Sequence, residues 1–255
     1  MRNTITATQF KDHLNLPLDY KVDGVFCYGT SFQDRAIDDL RQYLLNTELN
    51  AEIIPFDSPI MHSVREINII GKKFWFVMAY GGAELSEYLH MACIFGSQKN
   101  IFIGSCGGLK PGIKSGNFII PTSSYGQESS VRIYNRKSPV QYSDVLLNTS
   151  LENIISTDEN IVLKGPMITC QGSLGQTADD VQKWSTEGYF GVDMETSTVF
   201  AVSNYFSVPS AACVYVSDNL VEGQTPLSED YKKQADMRQQ RKYLQIQAAL
   251  KVLIE

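Results

Sequence analysis

Residues 22–46 read VDGVFCYGTSFQDRAIDDLRQYLLN. Val22 to Tyr28 is a short apolar run, Gly29-Thr30-Ser31 breaks it, and Asp34 to Asn46 then places Ile37, Leu40 and Leu44 at helical spacing. That order is strand, turn, helix. The pattern recurs downstream. Lys73 to Tyr80 reads as a buried strand punctuated by Gly81-Gly82, and Glu84 to Phe95 puts Leu85, Tyr88, Leu89 and Ala92 on one helix face. Ile101 to Ile103, Phe118 to Ile120, Ile161 to Cys170 and Ala211 to Val216 read as strands. Asp179 to Thr186, Thr196 to Phe206 and the long Ser228 to Ile254 segment read as helices, and polar Ser123 to Asp144 as loop or edge. Strands alternating with helices predict an α/β fold on a largely parallel, buried sheet. No repeat, low-complexity tract or linker interrupts residues 1–255, so one domain is expected.

The bulk properties narrow the function. A formal charge of −6 over 255 residues argues against a nucleic-acid or anionic-membrane binder, because phosphate backbones repel such a field. No apolar run reaches the roughly 18 residues a membrane span needs, and Met1 to Asp12 lacks a signal-peptide core, so a cytoplasmic protein is expected. The five cysteines, Cys27, Cys93, Cys106, Cys170 and Cys213, form no CxxC pair or His-Cys cluster. They read as reduced core thiols rather than disulfides or a metal site. His13, His62 and His90 are isolated, and no metal is expected.

Four segments carry chemistry. Gly29-Thr30-Ser31 and Gly104-Ser105-Cys106-Gly107-Gly108 follow apolar strands, where glycine lets backbone amides approach an anion. Neither is a GxxxxGK[ST] loop nor a GxGxxG fingerprint, and any α/β protein has glycines at strand ends. Val192-Asp193-Met194-Glu195 opens a helical pattern. A carboxylate there can hold two adjacent hydroxyls, with a thioether against a sugar face; the bland alternative is a helix-start Glu and a packing Met. Val214-Tyr215-Val216-Ser217-Asp218 ends a strand in a carboxyl group, which is read either as an acid or as an Asx turn.

Together these segments resemble the nucleoside phosphorylase family that includes purine nucleoside phosphorylase, uridine phosphorylase and the nucleosidases. The Leu109 to Pro121 run, LKPGIKSGNFIIP, looks like that family's G-L-x-P-x-x-x-x-G-D-x-x-I-P signature with Asn117 for Asp, and the likeness is collinear from Val22 to Asp218. The resemblance implies a single domain whose mixed, largely parallel sheet forms a distorted barrel flanked by helices. It also implies cleavage of a ribonucleoside's N-glycosidic bond, most directly by phosphorolysis to free base and ribose 1-phosphate. Glu195 would grip the ribose hydroxyls beside Met194, and Asp218 would help a purine depart. Ser105, Cys106 and Gly107 would border the substrate, and Gly29, Ser105 and Arg35 would hold phosphate, the co-substrate, with no other cofactor. A homo-oligomer, dimer or hexamer, is the implied assembly, and His13 or His62 could serve a neighbour's ribose 5′ group.

The chain departs from the pattern. Gln33 and Phe102 stand where phosphorolytic members usually carry arginines, and Asp34 stands where nucleosidases carry an acid. Hydrolysis is therefore the first rival, and a non-catalytic nucleoside binder the second. Gly172 to Thr177 has Gln176 but no arginine of the pyrimidine-binding kind, which favours a purine over uridine. Gln127-Glu128-Ser129-Ser130 falls where the family has an acidic loop near the sugar, with a solvated loop as the alternative, and Tyr125, Tyr134, Tyr189 and Phe190 either close a base pocket or pack a core.

Overall fold

The computed structural model describes residues 5–47, 49–126, 129–157 and 159–255, so Gln127 and Glu128 lie outside the described residues. After α1 (Ala7–His13), the strand and helix expected from residues 22–46 are β1 (Gly24–Gly29) and α2 (Gln33–Leu45). Helix α2 buries Ala36, Ile37, Leu40, Tyr43 and Leu44, the stripe its 3.6-residue period dictates. A second unit follows: β2 (Ala51–Pro55), β3 (Val64–Ile69), β4 (Lys72–Ala79) and α3 (Gly82–Ile94). The remaining elements are β5 (Asn100–Gly108), β6 (Phe118–Gly126), α4 (Ser129–Tyr134), β7 (Val140–Tyr142) and α5 (Val145–Ile155). Then come β8 (Val162–Thr169), α6 (Ala178–Thr186), β9 (Gly191–Asp193), α7 (Thr196–Tyr205), β10 (Ser210–Asn219), α8 (Glu229–Lys233) and α9 (Ala235–Ile254).

The strands run in the order β10-β6-β8-β9-β5-β1-β4-β3-β2, and a further β10–β5 pairing closes the first five into a barrel. The sheet is mixed. Parallel ladders join β1 to β4 and β5, β5 to β10, and β8 to β6 and β9, whereas β5–β9 and β6–β10 pair antiparallel within the barrel and β2, β3 and β7 add antiparallel strands outside it. Both faces are covered, so the central strands are apolar throughout: Val25, Phe26 and Cys27 in β1 and Phe74 to Met78 in β4 are fully or almost fully buried.

Two segments differ from expectation. Ser123 to Asp144, expected as loop or edge, does hold the edge strand β7 but also the outer half of β6 and the helix α4. The Ser228 to Ile254 segment is broken at Gln234 (φ −93°, ψ 18°), which divides α8 from α9.

Register brings the motifs together. In β5, Gly107 lies beside Val192 of β9 on one side and Asp218 of β10 on the other. A register shift between Val216 and Asp218 lets the end of β10 change its facing, as a bulge does. β1 runs parallel to the first half of β5, with Tyr28 beside Ile103, and so directs Gly29 toward the same rim.

Candidate active site

A cleft of about 340 Å³ opens at this rim, and Gly29, Ser105, Cys106, Gly107, Met194, Glu195 and Asp218 all line it. That volume suits a nucleoside-sized ligand. Arg35, expected to hold phosphate, is not among the lining: it is exposed on α2, its guanidinium 5.7 Å from the Phe32 ring.

Asp193 builds the turn that presents Met194 and Glu195. Its Oδ1 accepts from the Thr169 hydroxyl at 2.7 Å, and its Oδ2 accepts from the Thr196 amide at 3.2 Å and from the Thr196 hydroxyl. These bonds satisfy a buried carboxylate and fix the entry to α7. Glu195 then sits at the helix N-cap with φ −134° and ψ −37°, only 5% exposed. Its Oε1 accepts from the Gly81 amide at 2.6 Å, and its Oε2 from the Met194 amide at 3.3 Å. Gly29 is obligatory here: an added Cβ would lie 2.9 Å from Phe102 Cζ and 3.1 Å from Glu195 Oε2.

At the other motif, Asp218 is 5% exposed, and Ser217 donates to its Oδ1. Burial pushes the Asp218 carboxyl above its ordinary range, against the opposing pull of the Ser217 hydrogen bond and the Arg238 charge. Asn219 steadies the strand end, its amide donating to the Lys110 and Ile113 carbonyls at 2.9 and 2.8 Å. Gly107 is packed over by Leu220, whose Cδ1 would lie 2.6 Å from an added Cβ. Cys106 is buried, and burial with the neighbouring Asp193 and Asp218 charges keeps its thiol protonated.

The Gln33 amide donates to Ser63 Oγ at 2.8 Å, and Ser63 donates to Glu84 Oε1 at 2.9 Å. Phe102 is fully buried with its ring against Gly29 and Gly104. The lining contains Asp193, Glu195 and Asp218 but no Lys, Arg or His among the described residues. His62 instead pairs with Glu84 at 3.3 Å, and His13 is exposed on α1. Among the described residues no cluster of three or more His, Cys, Asp or Glu could hold a metal ion, and no helix is long and apolar enough to cross a membrane.

Sequence reasoning missed Tyr80, Leu220 and Pro226, which also line the cleft. Tyr80 follows a strand directly and carried an aromatic signal; Pro226 carried none. Gln176 lines the cleft with its amide 2.9 Å from Cys170 Sγ. Tyr125 and Tyr189 pack on each other at 6.5 Å and Tyr134 on His90 at 5.9 Å, and neither they nor Phe190 are among the lining.

The fold and the chain have known counterparts. A uridine phosphorylase of Vibrio fischeri ES114 superposes with a TM-score of 0.77 at 16% identity, covering 100% of this chain and 99% of that one. The same enzyme complexed with 6-hydroxy-1-naphthoic acid gives 0.76 at 18%, covering 94% and 95%. In sequence, a guanosine phosphorylase of Halorubrum lacusprofundi is 22% identical over 120 residues, 47% of this chain and 50% of that protein. A DeoD-type purine nucleoside phosphorylase of Thermoanaerobacter sp. (strain X514) is 25% identical over 157 residues, 60% of this chain and 66% of that protein. The chain thus spans half to two thirds of the length of these curated relatives. Residues 61–251 match the model of the phosphorylase superfamily, and the chain belongs to that family.

Proposed function

We propose that the chain cleaves the N-glycosidic bond of a purine ribonucleoside, with phosphate as the attacking group and free base and ribose 1-phosphate as products. The observation that carries this reading is the meeting of Glu195, Asp218, Ser105 and Gly29 in one cleft. Glu195, held by the Gly81 and Met194 amides, orients the ribose 2′- and 3′-hydroxyls. A phosphate oxygen held near Ser105 attacks C1′ as the C1′–N9 bond breaks and its electron pair passes to the base. Asp218, raised in pKa by burial, gives its proton to N7 of the departing purine. Positioning and electrostatics supply the rate enhancement. The curated relatives named as purine nucleoside and guanosine phosphorylases support the purine class.

Base release from inosine, adenosine and uridine, each with and without phosphate, tests the reading. Phosphate-dependent release from inosine or adenosine, with ribose 1-phosphate formed, is the expected result. A second reading, hydrolysis, is favoured by one observation: the described cleft lining is carboxylate-rich and holds no cation. Phosphate-independent release with free ribose would establish it.

The chain is also proposed to act in the cytoplasm as a homo-oligomer. All five cysteines are buried in the core, which suits a reducing compartment. Ile133, Tyr142 and Tyr205 stand exposed on α4, β7 and α7, which pack together, and offer an apolar face for a second copy. Light scattering at micromolar concentration distinguishes a dimer or hexamer from a monomer, and a monomer would refute the assembly.

A further inference from the structure

Ser217 and Asp218 line the nucleoside-sized cleft and also a second cavity, of about 490 Å³, between the end of β10 and α8. Asp218 is therefore a carboxyl that two cavities share. The segment after β10 divides them: Leu220 and Pro226 line the cleft, whereas Gly223, Gln224 and Thr225 line the second cavity. Hydrogen bonds hold that dividing segment. Gln224 Oε1 accepts from the Asn219 backbone amide at 2.8 Å, and the Gln224 backbone amide donates to the Asn219 carbonyl at 3.0 Å. Gly223 closes the turn in the left-handed conformation, with φ 71°. Ser115 Oγ donates to the Ser217 carbonyl at 3.0 Å and pins the loop before β6 to β10.

The second cavity is polar. Ser228 Oγ accepts from the Tyr231 amide at 3.2 Å and Thr225 Oγ1 from the Leu227 amide at 3.3 Å, so each hydroxyl keeps its hydrogen to donate. Gln234 adds a carboxamide to the lining. Lys233 is paired with Asp230 at 3.7 Å, and with Asp218 at the junction the described lining carries no net positive charge. Such a space favours a neutral group that accepts hydrogen bonds over an anion or an alkyl chain.

The position of the base follows from the acid. A purine presents N7 and the exocyclic group of C6 side by side on one edge. With N7 at Asp218, the C6 substituent lies next to the carboxyl that the two cavities share. We propose that the substrate is an N6-substituted adenine ribonucleoside whose neutral, hydroxyl-bearing tail passes Asp218 into the second cavity. This inference rests on the reading of Asp218 as the N7 acid of a purine-cleaving enzyme.

The test compares base release from adenosine, N6-(2-hydroxyethyl)adenosine, N6-propyladenosine and N6-(carboxymethyl)adenosine by the full chain in phosphate buffer. Ser115→Phe and, separately, Thr225→Phe place a ring in the second cavity at positions outside the cleft lining. Each is checked for the wild-type circular dichroism spectrum, and Thr225→Phe, at an exposed position, serves if Ser115→Phe does not fold. The hydroxyethyl substrate is expected to exceed the propyl and carboxymethyl substrates about fivefold or more in kcat/KM, and to equal or exceed adenosine. The filled variants should lose about tenfold on the hydroxyethyl substrate while staying within about twofold of wild type on adenosine. A preference for adenosine of about tenfold or more, a propyl or carboxymethyl tail that does as well as hydroxyethyl, or equal losses on both substrates in the filled variants would overturn the inference and leave purine cleavage intact. Failure to cleave any of the four nucleosides would instead overturn the catalytic reading. Calorimetric binding of the free bases then decides the cavity alone. N6-(2-hydroxyethyl)adenine bound more tightly than adenine, with the difference abolished in the filled variants, supports it, and equal affinities in the wild type overturn it.

Discussion

The Glu195 carboxylate accepts the Gly81 amide hydrogen at 2.6 Å, tying the N-terminus of α7 to that of α3. Both helix starts carry partial positive charge, so the carboxylate is held where two dipoles favour it. The Met194 amide at 3.3 Å adds a donor to Oε2, and the side chain meets substrate already oriented.

This arrangement separates charge from shape at position 195. Glu195→Ala should lose at least about 2 kcal/mol of transition-state binding, read as kcat/KM on a purine ribonucleoside. Glu195→Gln keeps an acceptor for the Gly81 amide, so its Tm should stay near wild type while kcat/KM still falls. A 2′,3′-dideoxynucleoside should show little difference between wild type and either variant. Equal losses on that analogue would place Glu195 outside the sugar grip.

Gly29 offers a second test, because its neighbours are part of the site. A methyl at this position would press on Phe102 Cζ at 2.9 Å and on Glu195 Oε2 at 3.1 Å. Phe102 is fully buried and cannot retreat freely, so the carboxylate is the group that must move. Gly29→Ala should therefore reduce kcat/KM by about tenfold or more. Combining it with Phe102→Leu should restore part of the loss by opening space below the turn. No rescue in the double variant would show that the methyl acts elsewhere.

Local patterns made the strands and helices around the site legible; the distances between them were not. Val22 to Tyr28 and Lys73 to Tyr80 announce buried strands because both faces of β1 and β4 are covered and alternation disappears. Ile101 to Ile103 underestimates β5, since Gly104 to Gly108 have no strand propensity of their own and are held by the partners β9 and β10. The adjacency of Gly107 to Val192 and Asp218 depends on long-range register, which no spacing along the chain reveals. The break at Gln234 carries no Pro or Gly to mark it. β2 and β3 escaped notice for a different reason: β2 is a half-buried edge ending at Pro55, with neither clean alternation nor a continuous apolar run.

Gln245 is a prediction about scaffold rather than chemistry. Fully buried on α9, it donates through Nε2 to the Gly104 carbonyl at 2.8 Å and the Cys213 carbonyl at 2.7 Å, stitching β5 to β10 just before their functional ends. Gln245→Leu leaves both carbonyls without that donor and should lower stability by about 1–3 kcal/mol. Urea unfolding measures it, and a midpoint unchanged from wild type would refute the clamp.

Asp218 makes a prediction in which stability and activity share one titration. Burial raises its carboxyl above the ordinary 3.8, so the folded chain holds this proton more tightly than the unfolded chain does. Protonation thus favours folding: the contribution is fully present below the ordinary value and is lost as pH rises through the folded value. Asp218→Asn cannot ionise, so its Tm should gain on that of wild type as pH rises through this window, and the difference should level off above it. Activity should run the opposite way. The proton that Asp218 gives to a purine is present only below the folded pKa, so wild-type kcat should decline on that alkaline side. The Asn substitution keeps size and one hydrogen bond but no proton source, so purine turnover should drop roughly 10²-fold and lose that alkaline limb. Nucleoside KM should change much less, because the interaction strengthens as charge builds on the departing base. Full purine turnover in the variant, or a wild type that prefers uridine, would remove Asp218 from the role of acid and purine from the substrate class.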